Sequence, residues 1–99
     1  MARNIVISGA SSGLGRALAI EFAARGATLG LLGRNSKRLG ETAARAREKG
    51  AVVRSAAIDV RDRDAMRSFL LDFDATATID CVIAWNREIM TRISSHLRS

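Results

Sequence analysis

Apolar and polar positions follow two alternating rhythms along this chain. Ile5, Val6 and Ile7 form an unbroken apolar run, the pattern of a strand covered on both faces, and predict a first strand over residues 4–8. From Leu14 the apolar positions Leu14, Leu18, Ala19 and Phe22 recur at helical spacing. They predict a helix over 14–25, with Gly26 as its stop. A second strand is expected over 27–32, again apolar or small on both faces. Ser36 reads as the N-cap of a second helix to about residue 49, halted by Gly50, with Leu39, Ala43 and Ala46 on one small-residue face. Residues 51–58 read as a third strand. Asp62 reads as the cap of a third helix to about residue 73, turning Met66, Phe69 and Leu70 inward. A fourth strand is expected over 80–85.

Strands and helices that alternate at such short spacing imply right-handed crossovers, and hence a parallel sheet. The expected fold class is α/β, with three layers: about four parallel strands and helices on both faces. In such sheets a ligand sits beyond the C-terminal ends of the strands. The candidate motifs below all fall on strand-to-helix loops at that edge.

Composition narrows the picture only a little. The chain has 99 residues, 47% of them apolar and 26% charged, which suits one small globular domain and argues against disorder. No apolar run approaches the roughly 20 residues needed to span a bilayer. Met1 stands almost directly before the first strand, so no signal or transit segment is expected. A single cysteine, Cys81, fits a reducing compartment, with the cytoplasm as the expected location. Cys81 itself reads as a small buried core residue.

Net charge is +6, with 14 Arg against 2 Lys. The arginines are scattered, and no aromatic residue is interleaved with a basic cluster, which argues against a nucleic-acid surface. A basic surface also attracts an anionic small molecule. His96 reads as a solvated tail residue, Asp72 and Asp74 as a solvated pair, and no metal-ligand spacing occurs.

The chemistry concentrates at Ser8-Gly9-Ala10-Ser11-Ser12-Gly13-Leu14-Gly15. Gly9, Gly13 and Gly15 follow a G-x-x-x-G-x-G spacing between strand and helix. Glycine permits backbone angles closed to other residues and leaves N–H groups uncovered. A helix N-terminus behind such a turn faces the ligand with partial positive charge, which suits a pyrophosphate. Ser8, Ser11 and Ser12 add hydroxyls. The bland alternative is a sharp loop and nothing more.

Ile7-Ser8-Gly9-Ala10-Ser11-Ser12-Gly13-Leu14-Gly15 resembles the cofactor-binding segment of the short-chain dehydrogenases/reductases, in which Thr is common where Ser8 stands. The resemblance runs from about residue 4 to 84. It implies a Rossmann-like half fold with Gly9, Ser11, Ser12, Gly13, Leu14 and Gly15 around a dinucleotide. The loop Gly33-Arg34-Asn35-Ser36-Lys37-Arg38 carries no acid and three cations. An acid there would bind the ribose 2′-hydroxyl of NAD, and a cation the 2′-phosphate of NADP. By resemblance Arg34 is the expected phosphate clamp, with Asn35 and Arg38 as helpers, and NADP(H) is expected over NAD(H). A solvated basic helix start is the alternative. The resemblance also sets Asp59 and Val60 against the adenine. The alternative for Asp59 is a loop acid competing with Asp62 to cap the third helix.

The resemblance breaks after the fourth strand. The family's Asn-Ala-Gly is replaced by Trp85-Asn86-Arg87, so Asn86 reads as a displaced remnant, beside Ala84 at the strand end. The family's catalytic Ser and Tyr-x-x-x-Lys have no counterpart here, since the 99 residues contain no Tyr. The expected organisation is a dinucleotide-binding domain over 1–85, shortened relative to the family, and a divergent, helix-compatible tail over 86–99. An exposed fourth strand or the tail is expected to drive homo-oligomer formation, with an aggregation-prone monomer as the alternative. The expected function is the NADP(H)-binding portion of an oxidoreductase, inactive alone. The alternatives are a stand-alone nucleotide-binding or sensor module, and a non-functional product of an interrupted reading frame.

Overall fold

The computed structural model describes residues 3–11, 13–59 and 61–83. Ser12, Val60, Ala84, Trp85, Asn86 and the remainder of the expected tail lie outside the described residues.

Strands and helices alternate strictly: β1 (Asn4–Ile7), α1 (Gly13–Ala23), β2 (Thr28–Gly33), α2 (Ser36–Glu48), β3 (Val52–Ala57), α3 (Arg63–Thr76) and β4 (Cys81–Ile83). The strands form one parallel sheet in the order β3-β2-β1-β4. The chain starts at an inner strand, winds outward through β2 to β3, then returns through α3 to β4 on the other side of β1. This reversal of direction sets a topological switch point at β1, beyond whose C-terminal end such sheets bind their ligands. Among the described residues no helix is long and apolar enough to cross a membrane.

Alternation along the strands sorts two cores. Ile5, Ile7, Leu29 and Leu31 face α1 and α2 and pack with Ala19, Ala23, Leu39, Ala43 and Ala46. One residue out of phase, Val6 and Leu32 face the other way and meet Met66 and Phe73 of α3, as a period of two requires. The alanines let α1 and α2 lie close to the sheet. On the α3 side the filler is aromatic: Phe73 is 1% exposed and stacks on Phe69 with 6.1 Å between ring centroids. Gly30 makes room for both. A Cβ there would stand 3.0 Å from the Phe69 ring and 3.1 Å from the Phe73 ring.

A polar clasp sets β4 beside β1. The Asn4 backbone N–H donates to the Asp80 carboxylate at 2.8 Å, and the Asn4 amide donates to the Thr78 carbonyl at 2.8 Å. Arg54 of β3 reaches over the end of α3, donating to the Thr76 hydroxyl at 3.2 Å.

Some expectations are corrected. The cap of α2 is Asn35, whose side chain accepts from the Arg38 N–H; Ser36 is the first helical residue. The Asn35 backbone is extended (φ −92°, ψ 102°), as an N-cap requires. Leu14 does not join the core with Leu18, Ala19 and Phe22. It is 56% exposed, because the buried face of α1 runs through Gly15, Ala19 and Ala23 and Leu14 lies off that line. Cys81 is exposed rather than buried, since β4 has a strand neighbour on only one side among the described residues. Asp62 does cap α3, accepting from the Ala65 N–H at 3.1 Å, and α3 runs three residues beyond its expected end.

Candidate functional site

The turn from β1 into α1 hangs between two neighbouring strands. The Ser8 N–H donates to the Ile83 carbonyl of β4, and the Ala10 N–H to the Leu32 carbonyl of β2, each at 2.9 Å. Gly9 and Gly13 adopt φ of 68° and 61°, the left-handed region that disfavours a Cβ. A Cβ built on Gly15 would run into the Gly9 carbonyl. The first turn of α1 therefore sits directly behind the loop. Among the described residues, a Cβ built on Gly13 would meet no heavy atom within 4 Å, so that position at the helix start is open. No acidic residue occupies the first turn of α1. Bare backbone, open space and an uncancelled helix dipole together favour an anion.

Ser11 folds over the end of β2. Its hydroxyl oxygen would lie 3.0 Å from a Cβ on Gly33, so the glycine at that strand end lets the two loops touch. The next residue, Arg34, is exposed, as are Asn35, Lys37 and Arg38. Three cations thus border the turn from the β2 side. The Asn35 carbonyl oxygen is occupied as the helix cap at 3.0 Å from the Arg38 N–H, which leaves its amide hydrogens as the available donors.

Asp59 follows β3 and does not cap α3. The Arg61 backbone N–H donates to Asp59 Oδ1 at 2.9 Å. The Arg61 guanidinium donates to both oxygens, with its shortest bond, 2.9 Å, to Oδ2. Arg34 Nε stands 3.9 Å from the same Oδ2, within ion-pair range but beyond a hydrogen bond. The Arg61 side chain, followed by its backbone N–H, holds the Asp59 carboxyl down to about 2. The Asp59 carboxylate in turn raises the Arg61 guanidinium above its usual value.

The structure thus brings Gly9, Ser11, Gly13, Leu14, Gly15, Arg34, Asn35, Arg38 and Asp59 to one edge of the sheet. Ser12, Val60, Ala84 and Asn86 are not among the described residues. Arg61 was not anticipated at this edge. Its readable signal is the Asp-x-Arg spacing in a strand-to-helix loop, where an Asp side chain commonly accepts from the backbone two residues on.

Comparison with known proteins agrees with this geometry. The family described as short chain dehydrogenase matches residues 3–85. An 11-beta-hydroxysteroid dehydrogenase A from Sesamum indicum is 53% identical over 47 residues, covering 48% of this chain and 14% of that protein. The crystal structure of carveol dehydrogenase from Mycobacterium avium in complex with NAD superposes with a TM-score of 0.79 at 25% identity, over 85% of this chain and 35% of that one. An alcohol dehydrogenase from the archaeon Thermococcus sibiricus, complexed with 5-hydroxy-NADP, gives a TM-score of 0.75 at 30% identity, over 83% of this chain and 36% of that one. The chain therefore spans about a seventh of the curated relative and about a third of each solved chain.

Proposed function

The chain belongs to the short chain dehydrogenase family, and from that membership we propose that it forms the NADP(H)-binding end of an oxidoreductase. The activity of the whole would be hydride transfer between NADP(H) and an alcohol or carbonyl compound. The observation that carries this reading is the glycine turn. Two glycines in left-handed backbone and a third lying against the Gly9 carbonyl set the start of α1 behind open space. These features fit a pyrophosphate, whose oxygens need N–H donors and tolerate no side chain between.

In this reading Gly9, Ser11, Ser12, Gly13, Leu14 and Gly15 hold the pyrophosphate and the adjoining ribose. Arg34 takes the 2′-phosphate, because a guanidinium fork matches phosphate geometry. Arg38 and the Asn35 amide stand beside it. Asp59 and Val60 border the adenine, and Ala84 and Asn86 the far ribose. When bound, the cofactor supplies the hydride chemistry. The residues present here bind and orient it. The same proposal includes a cytoplasmic location and a homo-oligomer, the latter supported by the pairing of β4 on one side only among the described residues.

The test is a fluorescence titration of the 99-residue chain with NADPH and NADH, with Arg34→Ala in parallel. Saturable binding that favours NADPH, with the preference lost in the variant, is the expected result. A folded sample that binds neither cofactor overturns the reading.

A further inference from the structure

The cluster Arg34–Asp59–Arg61 contains a charge conflict that the dinucleotide reading leaves open. Arg34 is exposed and placed for an anion, yet a carboxylate stands 3.9 Å from its Nε. A carboxylate so placed does two things to an arriving phosphate. It competes for the guanidinium, and it repels the phosphate charge directly. The structure contains the remedy. Arg61 spends three N–H groups on Asp59, one from the backbone and two from the guanidinium, and these bonds reach both carboxylate oxygens. Held in this way, Asp59 stands 3.9 Å from Arg34 Nε, beyond a hydrogen bond, and its charge is matched by its own partner two residues away.

We propose that Arg61 is a positioning residue for cofactor selection: by clamping and neutralising Asp59, it keeps the Arg34 guanidinium available to the 2′-phosphate of NADP(H). The inference rests on the dinucleotide reading above and deepens it. Arg61 touches the ligand in no step of this scheme and acts only through Asp59. Removal of its side chain leaves an uncompensated carboxylate beside Arg34. Asp59 then accepts the Arg34 guanidinium in place of the phosphate. NADPH loses affinity, while NADH, which brings no phosphate to that corner, does not. A simple loosening of the loop between β3 and α3 would weaken both cofactors alike.

The experiment measures dissociation constants for NADPH and NADH on the full 99-residue chain as the unaltered form, Arg61→Ala, and Arg61→Ala combined with Asp59→Asn. Far-ultraviolet circular dichroism and a urea midpoint are recorded for each. The expected NADPH-over-NADH preference falls about fivefold in Arg61→Ala, at the upper end for an exposed ion pair. It returns toward the unaltered ratio in the double variant, whose neutral amide neither traps Arg34 nor repels phosphate. An unchanged ratio in a folded Arg61→Ala that still binds overturns this inference alone. An equal loss for both cofactors, not restored in the double variant, overturns it in favour of a structural role. No saturable binding by the unaltered chain overturns the dinucleotide reading and this inference together.

Discussion

The carbonyl of Gly9 occupies the place where a side chain on Gly15 would begin. The turn and the helix behind it therefore fit together only through the missing Cβ. Gly13, two residues earlier, has a different need: open space surrounds it, and its φ of 61° is what asks for glycine.

These two positions respond differently to the same substitution. Gly15→Ala forces backbone to move and destabilises by about 3 kcal/mol, at the upper end for overpacking. Gly13→Ala meets no obstacle and costs about 1 kcal/mol for the left-handed backbone. Urea denaturation of the two variants beside the unaltered chain measures both. Equal midpoints for the two would contradict the geometry.

Gly30 gives a companion test in the α3 core. Gly30→Ala presses a methyl group onto the Phe69 and Phe73 rings, with an expected loss of about 1–3 kcal/mol. Phe73→Ala empties the largest fully buried side chain among the described residues, with an expected loss of about 3–5 kcal/mol. Combined, the two changes cost less than their sum, since the methyl group enters space vacated by the ring. Strict additivity would mean that the strand and the ring do not meet.

Acid stability should carry the signature of Asp59. Its carboxyl is held at about 2 in the folded chain against the usual 3.8, chiefly by the Arg61 side chain. The unfolded chain takes up that proton first as pH falls. The contribution of the pair is therefore fully present well above pH 4, and is lost as pH falls through 3.8 towards about 2. Asp59→Asn lacks the contribution at neutral pH and shows a shallower decline across that window. In Arg61→Ala the Asp59 carboxyl, followed by NMR, titrates closer to 3.8.

Much of the molecule was legible before any coordinates. The short apolar runs, the helical spacing from Leu18 to Phe22, the glycine stops and the Asp62 cap are local features, and each identifies an element without reference to its neighbours. Alternation of those elements implied a parallel sheet with helices on both faces, because few other arrangements join parallel strands with short links. The glycine turn was readable for the same reason: its backbone needs are set within eight residues.

Tertiary structure decided what depends on distant partners. It made Cys81 exposed through the position of β4 at one side of the sheet, and it left Leu14 outside the core because α1 turns Gly15, Ala19 and Ala23 inward. It chose Asn35 over Ser36 as the cap, since only one of two adjacent polar residues is held in extended backbone where β2 hands over to α2. It also brought Arg34 to Asp59 from the end of a different strand. That pairing follows from the parallel register of β2 and β3, and no spacing along the chain encodes it.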